Sequence, residues 1–147
     1  MEWTKDDFLI STDRNKIDIN YVHHFLSHSY WAEKIPVTIV EQSINGSLCF
    51  CVYHYKRQVG FSRVITDEAT FAYLADVFID PNYRGKGLSK LLMKTILKYP
   101  ELQGLRRFML ATKDAHGLYE QFSFKPITNP ERFMVIHEPE IYKENRL

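Results

Sequence analysis

The first third of the chain shows apolar residues with a helical period. In "DINYVHHFLSHSYW" and "PVTIVEQSIN" they recur three and four positions apart, as at Tyr21 and Phe25. This spacing places side chains on one face of a helix. The pattern therefore predicts two amphipathic helices, and Gly46 ends the second.

The middle of the chain changes to a pattern typical of strands. "SLCFCVYHY", "QVGFSRVIT" and "TFAYLADVFI" are rich in β-branched and aromatic residues and are separated by short polar stretches. They predict an antiparallel meander of three strands. Cys49 and Cys51 lie two positions apart, so they share one face of the first strand. We interpret them as small core residues, with a redox or metal role as the alternative.

After residue 80 the helical period returns. "LSKLLMKTILKY" places Leu88, Leu91, Leu92, Thr95 and Ile96 on one stripe, and Pro100 marks its end. "RRFMLAT" predicts a short strand, and "DAHGLYEQF" predicts a helix with Asp114 as its N-cap. "FKPI" and "RFMVIH" predict two final strands.

The order of these elements indicates an α/β (α+β) fold in one domain spanning residues 1–147. A helix lies between the third strand and "RRFMLAT", which indicates one parallel crossover inside a mostly antiparallel sheet. The net charge is +1, so the overall field does not favour nucleic acid or an anionic membrane. The start "MEWTKDDFLI" does not resemble a secretory leader, and no apolar run approaches a membrane span. We therefore expect a cytoplasmic protein.

The turn "RGKGLSK", residues 84–90, leads directly into the most regular helix. A helix N-terminus offers unpaired N–H groups and a positive dipole end to an anion. Gly85 and Gly87 allow close approach of a ligand, and Arg84, Lys86 and Lys90 supply charge. The turn predicts a pyrophosphate site, and a solvated helix cap is the alternative. It matches neither a P-loop nor a dinucleotide-binding fingerprint.

Together with a second motif, this turn resembles the GCN5-related N-acetyltransferase (GNAT) family. Arg84, Gly87 and Ser89 fall on the family's acetyl-CoA motif, with Ser89 as a small residue at the last position. "AHGLYEQFSF" resembles the family's second motif, with Ser123 in place of a glycine. Thr112 stands where many members have an asparagine that contacts the cofactor. By motif, the resemblance covers residues 48–127.

The resemblance implies a GNAT-type sheet of six to seven strands with about four helices, acetyl-CoA as acyl donor, no metal, and a possible homodimer. It also implies that Tyr119 is the acid that protonates the leaving sulfur, and a half-buried helix tyrosine without a catalytic role is the alternative. The donor site it implies comprises the backbone of Val77, Phe78 and Ile79 for the pantetheine arm, and Arg84, Gly85, Lys86, Gly87, Leu88, Ser89 and Lys90 for the pyrophosphate.

Asp76 is the candidate base, because an attacking amine must lose a proton. Strand alternation predicts that Asp76 shares a face with Leu74 and Phe78, and apolar neighbours would raise the pKa of a carboxyl group. Its position also matches a glutamate found in many family members. A structural buried acid is the alternative, and a water chain could replace a dedicated base.

The remaining polar and aromatic features allow two interpretations each. His24 and His28 are compatible with a metal or with a solvated helix face, and His116 with a proton shuttle or a surface position. Trp3, Tyr30, Trp31 and Tyr73 could wall an acceptor pocket or belong to the core. The leading hypothesis is acetyl transfer to a small-molecule amine. Its rivals are a non-catalytic acyl-CoA-binding module and a nucleotide-diphosphate-binding regulatory module.

Overall fold

One sheet organises the molecule, and a computed structural model describes it over residues 1–143. Its strands lie in chain order; the first five pair antiparallel with their neighbours, and the sixth is parallel to the fifth. This mixed, mostly antiparallel six-stranded sheet with four helices confirms the predicted fold class. The strands are β1 (Glu2–Lys5), β2 (Phe8–Ser11), β3 (Leu48–His54), β4 (Arg57–Thr66), β5 (Phe71–Ile79) and β6 (Arg107–Leu110), and the helices are α1 (Ile19–Ser27), α2 (Val37–Asn45), α3 (Leu88–Lys98) and α4 (His116–Glu120).

The two faces of the sheet carry separate apolar clusters. Phe50 and Val52 on β3 join a cluster with α3 and α4, whereas Cys49 and Cys51 join a cluster with α1 and α2. The cysteines are therefore buried core residues, as predicted. Burial raises the pKa of the Cys49 thiol to about 12, so it stays protonated at neutral pH.

The helices are where the periodicity predicts them, although the residues most deeply buried in α1 are not the ones that the pattern singled out. Val22 and Leu26 are fully buried in α1, while Tyr21 and Phe25 lie at the border of the same cluster. The stripe predicted for α3 is confirmed, since Leu88, Leu92, Thr95 and Ile96 are buried.

Both ends of the chain differ from the expected strand order. β1 and β2 form an N-terminal hairpin that the pattern did not predict, because Trp3 is the one apolar side chain in β1. "FKPI" and "RFMVIH" were predicted as strands and are not. Their composition favours strands, but no neighbouring strand within residues 1–143 pairs with them.

The two parallel strands part halfway along β5, and this separation creates the candidate site. β6 pairs with residues 71–74 alone, so β5 continues to Ile79 with one edge free. The chain then turns through residues 80–87 into α3. Among residues 1–143, no helix is both long and apolar enough to cross a lipid bilayer.

Candidate active site

The free edge of β5 forms one wall of the site. Phe78 and Ile79 pair with Phe61 and Gly60 of β4 on one side, while on the β6 side of residues 75–79 no strand of residues 1–143 lies beside them. The backbone groups on that side can therefore pair with an extended ligand, as in the addition of a strand. This is the edge predicted to bind a pantetheine arm.

The turn before α3 continues this edge. Gly85 and Gly87 have φ of 78° and 76°, and a Cβ built on either would meet no atom within 4 Å. The backbone N–H groups of Leu88, Ser89 and Lys90 have no backbone acceptor among residues 1–143. The turn thus combines left-handed backbone, open space and unpaired N–H donors, which suits a bound anion.

Cationic side chains surround the turn. Lys86 and Lys90 are exposed, and Arg84 donates from Nε to the Ile79 carbonyl oxygen at 3.3 Å. A cavity of about 250 Å³ lies between this turn and Leu118, the residue before Tyr119. The glycine-containing turn before α3 and helix α4 therefore line one cavity.

A second cavity of the same volume lies at the opposite end of the sheet, where β3 begins and β4 ends. Its Arg14 already donates to the Ser47 carbonyl oxygen at 3.0 Å. Its lining residues include no α-helix N-terminus, so the cavity at α3 is the better candidate for a donor site.

Tyr119 is buried on α4, where its ring packs edge-on against Phe124 at 6.0 Å between centroids. Its hydroxyl makes no hydrogen bond to residues 1–143 and is therefore available to a ligand. Burial, with a smaller effect of the nearby Tyr30, raises the pKa of Tyr119 above that of an ordinary tyrosine. A raised pKa keeps the phenol a neutral proton donor.

Leu74, Asp76 and Phe78 do not all share one face of the sheet, so that prediction is wrong. Its backbone has a φ of 55°, and the register between β4 and β5 shifts in this region. This bulge changes the alternation, so Leu74 packs with α3 whereas Phe78 packs with α1. Asp76 turns toward the α1 side, among polar partners.

Two donors hold the Asp76 carboxylate. Arg63 donates from Nε to Oδ2 at 2.9 Å, and the Trp31 indole donates to Oδ1 at 2.8 Å. Arg63 is held in turn by the Ser47 hydroxyl at 3.1 Å. Sequence reasoning missed Arg63, although the antiparallel pairing of β4 with β5 offered a signal, because it places Arg63 opposite Ala75.

Aromatic residues on the loop after α1 extend from Asp76 toward the β6 side. The rings of Tyr30 and Trp31 lie 5.1 Å apart, and Lys113, beyond β6, places Nζ 5.2 Å from the Tyr30 ring. Tyr30 and Trp31 are 61% and 42% exposed. Both rings are therefore accessible beside Asp76, and their role in contacting an acceptor stays a prediction.

Trp3 and Tyr73, also suggested for this pocket, do not pack with Tyr30 and Trp31. Trp3 packs against Phe50 and Tyr99, on the α3 side of the sheet. Tyr73 is half-buried within β5 and contacts neither Tyr30 nor Trp31 through its ring. Trp3 belongs to the core packing, which was the alternative interpretation.

The histidines show no metal geometry. The His24 and His28 rings lie 4.6 Å apart, and residues 1–143 contain no group of three or more His, Cys, Asp or Glu that could hold a metal ion. His116 is exposed at the first position of α4.

The start and end of α4 differ from the sequence prediction in detail. Ala115 is the N-cap rather than Asp114, and its N–H donates to the Thr112 hydroxyl at 3.0 Å. Thr112 therefore has a local structural partner. Ser123 has a φ of 72°, which explains why the family has a glycine at this position.

Comparisons with known proteins agree with this geometry. A model of the acetyltransferase (GNAT) family matches residues 14–124. A Gibberella zeae protein named "Putative acetyltransferase" is 33% identical over 140 residues, covering 80% of this chain and 78% of that protein. Relatives in the alga Gracilaria tenuistipitata and elsewhere are named as uncharacterised N-acetyltransferases.

Solved structures extend the likeness to the whole fold. A Xanthomonas campestris protein described as a "putative acetyltransferase belonging to the gnat family" is 47% identical, with a TM-score of 0.92 over 95% of this chain and 99% of that one. A Staphylococcus aureus structure at 22% identity and a TM-score of 0.71 shares the fold. The chain therefore belongs to the GNAT family of acetyltransferases and is an acyltransferase enzyme.

Proposed function

We propose that this enzyme transfers the acetyl group of acetyl-CoA to the primary amine of a small molecule, by direct attack of the amine on the thioester. The observation that carries the proposal is the continuity of the donor site. One free strand edge, residues 75–79, leads into a turn whose N–H groups and cations suit a diphosphate.

In this proposal the donor lies extended along β5. Its pantetheine arm pairs with the backbone of Val77, Phe78 and Ile79, and its pyrophosphate binds at Arg84, Gly85, Lys86, Gly87, Leu88, Ser89 and Lys90. A backbone N–H of β5 also polarises the thioester carbonyl group, as preorganised donors do for a developing oxyanion.

The reaction needs two proton transfers. The neutral amine forms a C–N bond to the carbonyl carbon while the C–S bond breaks, and Asp76 accepts the proton that the nitrogen loses. Tyr119 gives its phenolic proton to the departing sulfur and regains one from solvent. The raised pKa of Tyr119 supports this role, because a neutral phenol is the donor form.

The acceptor enters on the α1 side in this proposal. The Trp31 indole donates a hydrogen bond to Asp76, and its ring is partly exposed. A bound amine would therefore contact an aromatic surface beside a carboxylate. Both attract an ammonium group before it loses its proton. The small aromatic wall supports a small molecule over a peptide.

Three further parts of the proposal rest on indirect support. We infer that residues 1–147 act as one domain in the cytoplasm, since Cys49 and Cys51 are free thiols, as a reducing compartment allows. A homodimer, expected from the resemblance, is also part of it. No step in the mechanism uses a metal ion.

The test is release of free CoA thiol from acetyl-CoA across a panel of small amines and lysine peptides, with mass spectrometry of each acceptor. We expect amine-dependent thiol release and an acetylated small-molecule product. Transfer to peptides alone would contradict the acceptor class. Thiol release that no amine accelerates would contradict amine transfer altogether.

A further inference from the structure

Lys113 is an exposed cation beside the aromatic residues of the acceptor side. It lies between β6 and α4 and forms no ion pair with an acid of residues 1–143. Glu33, which follows Tyr30 by three positions, is already paired with Lys143 at 3.0 Å. The ammonium group of Lys113 can therefore pair with a negative charge that a ligand brings.

Two aromatic rings fix the position of this ammonium group. Nζ of Lys113 lies 5.2 Å from the centroid of the Tyr30 ring, and that ring meets the Trp31 ring edge-on at 5.1 Å. The Trp31 indole donates in turn to the Asp76 carboxylate. A cation above an aromatic face is held by the ring and keeps its N–H groups for other partners. A positive and a negative group thus lie at the two ends of one aromatic surface.

This aromatic surface is attached to the strand that forms the wall of the donor site. Phe25 of α1 stacks on Phe78 of β5 with 3.8 Å between ring centroids, and the Phe25 ring lies 6.4 Å from the Trp31 ring. Tyr30 lies close enough to Tyr119 to contribute to its raised pKa. A small molecule on this surface therefore has one end beside the proposed reaction centre.

We propose that the acceptor is a small amine that also carries an anionic group, a carboxylate or a phosphate, and that this group pairs with Lys113. The inference rests on the proposed function and adds the charge at the far end of the acceptor. A molecule with both charges is also oriented by the surface, because the reversed orientation would place like charges together. The nitrogen is then directed to Asp76, where it attacks the thioester.

Other classes of amine match this arrangement less well. A diamine or a polyamine would place a second ammonium group beside Lys113, and like charges repel. An uncharged alkylamine would contact the Tyr30 and Trp31 rings but gain nothing from Lys113. The acceptor site should therefore distinguish amines by the charge at their far end.

The test measures kcat/KM for primary amines that share a series of chain lengths and differ in the far end, which is a carboxylate, a phosphate, an ammonium or a methyl group. We expect one of the two anionic series to exceed the diamines by about tenfold, because the attraction of one series and the repulsion of the other each contribute a modest factor. The faster anionic series identifies the anion. The preference should shrink as the salt concentration rises.

Two variants assign the preference to Lys113. Lys113→Gln should remove most of it, and Lys113→Glu should reverse it in favour of the diamines, mainly through KM for the acceptor. Lys5→Glu is the matched control, because it makes the same charge change at an exposed position of β1, at the opposite edge of the sheet. It should keep the preference of the wild type. Melting temperatures check that each variant folds.

The outcomes separate this inference from the proposed function. Equal kcat/KM for all four series in the wild type, or a preference that survives both substitutions at Lys113, would overturn the anionic acceptor and leave amine transfer intact. Thiol release that no amine accelerates would contradict the proposed function and this inference with it.

Discussion

The position of Asp76 depends on an unusual backbone conformation and on two hydrogen-bond donors. A non-glycine residue with φ of 55° inside a strand is uncommon, and aspartate tolerates it better than most. Arg63 and Trp31 then fix both carboxylate oxygens. Residues held in sparsely populated backbone regions often belong to functional sites, which supports a role in the reaction.

For Asp76→Asn we expect kcat to fall by about a hundredfold or more, because an amide cannot accept the proton of the amine. Acetyl-CoA affinity should stay unchanged, and the acidic limb of the pH–rate profile should disappear. Steady-state kinetics and calorimetric titration measure these quantities.

Arg63→Gln is the matched control, since it breaks the ion pair but keeps the carboxylate. It should lower the melting temperature and retain the acidic limb. Identical kinetics and pH profiles in the two variants would assign Asp76 a structural role instead.

For Tyr119→Phe we expect kcat to fall by about a hundredfold, because the leaving sulfur loses its proton donor. The raised pKa of Tyr119 also means that any alkaline limb from this group in the wild type should lie above the range of an ordinary tyrosine. Tyr99→Phe, on the α3 side beside Trp3, serves as control. Equal rates for Tyr119→Phe and wild type at every pH would refute the acid assignment.

At the scale of elements, the mouth of α3 depends on backbone shape. Gly87 occupies the N-cap of α3 without a side-chain hydrogen bond and has a φ of 76°, and the N–H groups of residues 88–90 have no backbone acceptor among residues 1–143. Any residue with a Cβ is strained there by about 1–2 kcal/mol, and its methyl group enters the space where a phosphate would approach.

Gly87→Ala should therefore weaken acetyl-CoA binding by more than its small loss of stability explains. Gly104→Ala is the matched control, since Gly104 has a φ of 74°, equally open surroundings and a position in the turn before β6. Titration calorimetry and thermal melts compare the two. An equal loss of donor affinity in both variants would contradict a site at α3.

The turn between β4 and β5 is held by Asp67, and this predicts a pH-dependent stability. Its carboxylate accepts N–H bonds from Thr70, Ala69 and Phe71, and these bonds, with the Thr70 hydroxyl, hold the pKa of Asp67 well below its usual range. A lowered folded pKa stabilises the protein above the unfolded pKa near 3.9, and that stability is lost as pH falls through the folded pKa.

Asp67→Ala should therefore lower the denaturation midpoint at neutral pH, and the gap to wild type should shrink below about pH 4. Urea melts across this range measure it. Asp114→Ala, at an exposed aspartate that is not the N-cap of α4, should show little change at either pH. A gap that widens on acidification would contradict the linkage.

At the scale of the whole molecule, sequence patterns correctly predicted the helices and strands whose apolar periodicity is regular. The α3 stripe and the alternation of Cys49 and Cys51 follow from period alone, so both were confirmed. The pattern did not predict β1, because β1 pairs with β2 through backbone hydrogen bonds and has no apolar face. The bulge at Asp76 was missed because alternation assumes a regular strand.

The prediction of two C-terminal strands is wrong for a different reason. "RFMVIH" has the composition of a strand, but composition cannot supply a neighbour, and residues 1–143 of one chain provide none. The open turn before α3 could be predicted from its two glycines, and its role in binding a donor stays a prediction. The contacts of Arg63 and Trp31 with Asp76 depend on the folded sheet, so the sequence did not predict them.

The central claim is that the free edge of β5 and the turn before α3 together bind an acyl-CoA donor. Titration of the wild type with acetyl-CoA, CoA and ATP, followed by melting temperature and calorimetry, tests it most directly. The account predicts saturable binding and stabilisation by acetyl-CoA and CoA, with a much weaker effect of ATP, because ATP lacks the pantetheine arm. Stabilisation by ATP alone, or no binding of acetyl-CoA, would contradict the account.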